Sequence, residues 1–218
     1  MNRTHQLIEQ LSNDPLVSGE SLKKSYFFVL LCAGLVISSL GLAVFHIAGA
    51  PIRPGYLQII GQPLIAVKQI VPLLIVITAA PLVALLARPE VRLSINTLPL
   101  TVALVILPVL AVSTLSPMTD DARIVAINGE GFVECLISIV GLSVGLIAAQ
   151  ILVLRRGAVT RPLSAGGIAG LAAGAIAAVA YAFICTEDSP GFFGLWYSIG
   201  ILIAGALGAL TGKFYLRW

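Results

Sequence analysis

The 13 basic and 10 acidic residues of this chain are placed so that six charge-free apolar runs remain, at residues 25–52, 69–87, 93–119, 135–154, 162–186 and 189–212. A bilayer core needs about 20 mostly apolar residues per helical span, and each run has that length or nearly so. A span must also satisfy its own backbone hydrogen bonds, which an α-helix does internally. With 58% hydrophobic and 11% charged residues and a mean hydropathy of +1.02, a water-soluble core is a poor alternative. The expectation is an all-α fold, a six-transmembrane-helix bundle that consumes nearly all of the 218 residues.

The sign of the flanking charges orients the bundle. Arg3, Lys23 and Lys24 precede run one, Arg88 and Arg92 follow run two, Arg155, Arg156 and Arg161 follow run four, and Lys213 and Arg217 follow run six. The other connections hold only Arg53, Lys68 and Arg123 against Asp120, Asp121, Glu130, Glu134, Glu187 and Asp188. The positive-inside rule puts both termini in the cytoplasm and the acidic connections outside. Run one is too long for the apolar core of a cleaved signal, and Glu9, Asp14 and Glu20 precede it, so it reads as a retained span. Two units follow: a cytoplasmic tail, residues 1–24, and a membrane domain, residues 25–218.

Within the runs, Gly49-Ala50-Pro51 closes the first span, and Pro72 and Pro81 predict a kink in the second. Helix is expected to end near Ser116-Pro117, before an acidic outer loop. Small residues recur every four positions in the last three spans: Gly141 and Gly145, then Gly166, Gly170 and Gly174, then Gly208 and Gly212. Such spacing lets helix backbones approach closely and predicts a tight packing of spans four, five and six. A homodimer through one of these faces is the rival reading.

Few residues can carry chemistry. No acid or base lies at mid-depth, which argues against a pump or symporter, and no phosphate loop, HExxH pair or Ser-His-Asp set occurs. Gln150 reads as a helix-to-helix hydrogen bond. Cys32, inside span one, reads as a small polarizable hydrophobe. Cys135 opens span four and Cys185 closes span five on the same side of the membrane. Helices in contact there would bring the two within the roughly 7 Å a disulfide spans. Glu134, Glu187, Asp188 and His46 lie at similar depth, so with the two thiols they are also the candidate ligands for a soft divalent metal; two inert thiols are the plain alternative. No resident cofactor is expected. Trp196, Tyr197, Tyr215 and Trp218 read as membrane-interface aromatics.

In the tail, Leu7, Ile8 and Leu11 share one face of a short amphipathic helix that ends before Pro15. About ten residues make only a marginal helix in water, and three acids disfavour an anionic lipid surface. A protein groove is the expected partner of that face.

From Cys135 onward the chain resembles the NrsF family of bacterial membrane anti-sigma factors. The resemblance rests on Arg155-Arg156-Gly157-Ala158, Thr160-Arg161-Pro162, Ala165-Gly166 to Gly174, and the run Tyr181-Ala182-Phe183-Ile184-Cys185-Thr186-Glu187-Asp188-Ser189-Pro190. It continues through Phe193, Leu195-Trp196-Tyr197 and Gly212 to Leu216-Arg217-Trp218, and takes in Leu7-Ile8, Leu11, Asp14-Pro15, Arg53-Pro54 and Lys68. It implies a multi-pass protein of the inner membrane that holds an ECF sigma factor inactive, without enzymatic activity or direct contact with nucleic acid. It further implies that the outer cysteines, Cys135 and Cys185 here, respond to heavy-metal or oxidative stress. The family tail often carries basic residues after the proline, whereas Pro15 here leads into Leu16-Val17-Ser18. A small transporter or channel, and a membrane thiol-disulfide oxidoreductase, are the competing readings; the absence of a CxxC weighs against the second.

Overall fold

The computed structural model describes residues 19–87, 97–129 and 131–217. Among them every regular element is helical: α1 (Gly19–Ile47), α2 (Tyr56–Ile59), α3 (Pro63–Leu86), α4 (Leu98–Leu115), α5 (Asp120–Asn128), α6 (Phe132–Leu154), α7 (Pro162–Ala182) and α8 (Pro190–Tyr215). Six of these, all but α2 and α5, are long and apolar enough to cross a membrane. The sequence-expected spans are therefore present, with three adjustments.

The second span starts earlier than its charge-free run. Pro63 begins α3, a favoured position because the proline lacks an N–H that the first turn would leave unpaired. Lys68 thus lies inside the helix rather than in the connection before it. The helix continues through Pro72 and Pro81. The connection expected to be an acidic loop is helical in part: Asp120 and Asp121 open α5, where carboxylates complement the helix dipole. Lastly, α1 begins at Gly19, inside the segment assigned to the tail.

Composition decides which helix sits in the middle. Helix α7 is built largely of Ala and Gly, and Ala165, Ala169, Ala172, Ala173, Ala175 and Ala178 are all fully buried. It packs against α1, α3, α6 and α8, while α4 lies outside, across α3 and α8. A helix with neighbours on most sides tolerates only small side chains. The closest approach is α7 to α8, where Gly166, Gly170 and Gly174 meet the backbone of Ile201, Ala204, Gly205, Gly208 and Gly212. A methyl group built on Gly170 would overlap the Ala204 carbonyl oxygen.

The glycines of α6 behave otherwise. Gly145 meets Ile37 of α1, and Gly141 faces open space. Helix α6 still packs on α7 and α8, but through other residues, among them Ile139 against Gly200. The four-residue spacing marked a small-residue stripe correctly and named the wrong neighbour for it. Helix α1 is the most peripheral: it leans mainly on α6, and its contact with α3 is slight. An apolar groove of about 660 Å³ follows the seam between α1, α3 and α7.

Candidate functional site: a thiol cluster at one end of the bundle

Residues 183–189, between α7 and α8, are held down by two cations from other elements. The Lys68 ammonium is 1% exposed. It donates to the carbonyl oxygens of Cys185 at 3.1 Å and Glu187 at 2.6 Å, and to Asp188 Oδ1 at 3.2 Å. Three acceptors satisfy its three donors, which is what allows a charge to be buried. The Phe193 ring lies 5.9 Å from its nitrogen. Arg53 grips the same Asp188 carboxylate through Nη1, at 2.9 and 2.8 Å, and its backbone N–H donates to Phe183 O at 3.1 Å. The segment that carries Cys185 is thereby tied both to α3 and to the connection after α1.

Cys135 and Cys185 come together under this clamp. Both belong to one buried cluster with Tyr181, Phe192, Phe193 and Tyr197. Both are free thiols, as is Cys32; the disulfide reading of the sequence does not describe this state. Cys135 is sealed at 0% exposure and Cys185 reaches 5%. The Cys185 thiol points towards Glu187 O, 3.7 Å away. Tyr197 is wholly buried, not an interface aromatic. Its hydroxyl makes no aligned hydrogen bond to any described residue. Trp196 is at the rim, its indole N–H donating to Ile127 O of α5 at 2.7 Å and its ring stacked on Phe132 at 4.9 Å.

The candidate metal ligands do not converge. Among the described residues no three His, Cys, Asp or Glu side chains are grouped as ligands. His46 ends α1 and is exposed, Asp188 is spent on Arg53 and Lys68, and Glu134 is exposed beside the buried Cys135. What the arrangement offers is a pair of buried soft nucleophiles next to a cavity of about 370 Å³.

At the opposite end, Gln150 makes the helix-to-helix bonds expected of it. Tyr26 of α1 donates to Gln150 Oε1 at 2.7 Å, and Gln150 Nε2 donates to Ala169 O of α7 at 3.0 Å. Tyr26 and Gln150 are each 1% exposed. Gln150→Leu is expected to lower stability by about 1–2 kcal/mol by stranding the Tyr26 hydroxyl. Adding Tyr26→Phe should restore most of it, because neither partner is then left unpaired; denaturation in detergent micelles measures both. A double variant no better than the single one would show that the hydrogen bond is not what the substitution removes.

Leu7, Ile8 and Leu11 lie outside the described residues, as do Glu130 and Trp218. Lys68 and Tyr197 are the residues that sequence reasoning missed. Lys68 had a signal: a solitary base only five positions after the helix-opening Pro63, on an otherwise apolar stretch.

Comparison with known proteins adds a family to this geometry. The family model described as "Negative regulator of sigma F", NrsF, matches residues 19–218. A protein of Azospira oryzae named probable anti-sigma-F factor NrsF is 44% identical over 90 residues, covering 41% of this chain and 42% of that protein. The anti-sigma-F factor NrsF of Caulobacter vibrioides is 35% identical over 98 residues, 45% of this chain and 46% of its own length. The matched stretch thus spans less than half the length of either curated relative. No solved structure matches the chain.

Proposed function

Because the chain belongs to the NrsF family of negative regulators of sigma F, we propose that it is an integral inner-membrane anti-sigma factor. On this reading both termini are cytoplasmic, and an ECF sigma factor is sequestered by the tail, residues 1–24, through Leu7, Ile8 and Leu11. Extracytoplasmic heavy-metal or oxidative stress acts on Cys135 and Cys185, and the sigma factor is released. The role is regulatory, with no turnover of a substrate, and any metal acts as stimulus rather than as cofactor.

The observation that carries the reading is the family match over residues 19–218, and the geometry supplies a route for the signal. Helices α6 and α7 each have one end in the thiol cluster and the other in the Tyr26–Gln150–Ala169 linkage. Tyr26 sits on α1, the helix that leads back to the tail. A change in how α6 and α7 pack at the thiols is felt by α1 through that linkage, provided the bundle has two arrangements that both ends bias.

A transcriptional reporter for the cognate sigma factor tests both halves. Cys135→Ser with Cys185→Ser is expected to abolish induction by a thiophilic metal while basal repression persists; normal induction would sink the sensing claim. Leu7→Asp with Leu11→Asp is expected to relieve repression at unchanged protein level. Full repression by that variant would remove the tail from the mechanism.

A further inference from the structure

The two thiols are not equivalent in the structure, and the difference lies in what reaches them. Cys185 lines the cavity of about 370 Å³ together with Arg53, Glu134, Tyr181, Glu187 and Phe192; Cys135 does not. The cavity is framed by the connection after α1, the start of α6 and the segment between α7 and α8. Behind it Cys135 is closed off completely.

The cavity wall is charged in a lopsided way. The Arg53 guanidinium is engaged by both oxygens of Asp188, and the Lys68 ammonium is turned to three acceptors on residues 185–188. Both cations are committed to holding the segment. The Glu134 carboxylate stands on the open wall, one residue before Cys135. The buried Tyr197 hydroxyl, which has no hydrogen-bond partner among the described residues, belongs to the same cluster as Cys185.

We propose that Cys185 is the entry thiol, the first to react with small thiol-reactive species, that Cys135 is the shielded second thiol, and that Glu134 selects cationic reagents over anionic ones. The inference rests on the reading of this pair as the sensor, but its chemistry is separable from sigma-factor control. When a thiophilic cation arrives, the sulfur of Cys185 forms the new bond and its proton leaves to solvent. Cys135 follows only after the cluster opens. With Arg53 engaged by Asp188, the carboxylates of Glu134 and Glu187 leave the wall net negative, and such a cleft raises the local concentration of oppositely charged reagents by about tenfold or more, so Glu134 acts as a positioning and selecting group.

The test uses the full chain in detergent micelles, with Cys32→Ser to remove the third thiol. The probes are two methanethiosulfonates of similar size, one carrying a trimethylammonium group and one a sulfonate. Each transfers its thioalkyl group to sulfur, forming a disulfide, while methanesulfinate leaves with the thiol proton. Mass spectrometry of the peptides follows each cysteine with time. Cys185 is expected to react about tenfold faster than Cys135, and to prefer the cation, relative to free cysteine, by a similar factor. Glu134→Gln should reduce that preference and Glu134→Asp should keep it, with the melting temperature unchanged in both. Equal or faster reaction at Cys135, or no reaction at either thiol in the folded protein, overturns the entry assignment; an unaltered preference in Glu134→Gln overturns the role of Glu134. Repeating the labelling on spheroplasts separates the two readings. Cys185 that reacts in micelles but is inaccessible from outside would contradict the proposed orientation and leave the order of the thiols standing.

Discussion

Gly170→Ala is expected to destabilise the bundle by about 3 kcal/mol, although it adds one methyl group and raises helix propensity. The new Cβ would occupy the space of the Ala204 carbonyl, with Gly205 Cα 3.0 Å away. Both obstacles are backbone, so no side chain can rotate to make room and α7 must separate from α8. In a bilayer that contact has no hydrophobic driving force behind it; it depends on close packing, which the separation removes. Gly141→Ala is the matched control. Nothing lies within 4 Å of its Cβ position, so the same chemical change should be neutral or stabilising by up to about 1 kcal/mol. Unfolding in detergent micelles, read for both variants, distinguishes packing from propensity. Equal behaviour of the two would refute the assignment of Gly170 to the α7–α8 contact.

Lys68→Met is the second large effect. Methionine matches the aliphatic stem and removes the ammonium, leaving the carbonyls of Cys185 and Glu187 without this donor. Asp188 keeps Arg53 and is 31% exposed at the side chain, so it is not left as a naked buried charge. The expected loss is therefore about 3 kcal/mol, at the lower end for breaking a buried ionic contact. Residues 183–189 lose their anchor on α3, and both thiols should become more reactive than in the parent protein. A variant with native thiol reactivity and stability within about 0.5 kcal/mol of the parent, the scatter of ordinary surface changes, would show that Lys68 does not hold the segment.

How far the sequence reveals this protein can be judged at particular residues. The six spans were legible because charge is costly in hydrocarbon, so an uninterrupted apolar run is close to a direct reading of bilayer depth. Gln150 was legible for a related reason: an amide in an apolar helix must find partners. The same logic failed at Lys68. Treating every charge as a mark of water delayed the start of the second run to residue 69, whereas a long aliphatic stem and three oxygen acceptors bring that charge inside. Tyr197 was assigned to the membrane interface because aromatic residues gather there; only the fold shows that its side of α8 faces Cys185. Periodicity showed that α6 carries a stripe of small residues, but which helix covers a stripe is a property of the assembled bundle. The pairing of Cys135 with Cys185 was accessible because antiparallel neighbours return to the same level, while the unequal exposure of the two thiols was not.

The linkage between Tyr26 and Gln150 joins residues 124 positions apart in the chain. A chain made at about 5–20 residues per second delivers Gln150 roughly 6–25 s after Tyr26. Helix α1 is thus made well before its main support, α6. During that interval its tyrosine hydroxyl is without the Gln150 acceptor that later satisfies it. The order of synthesis therefore keeps the Tyr26–Gln150–Ala169 linkage from forming until residue 169 has emerged.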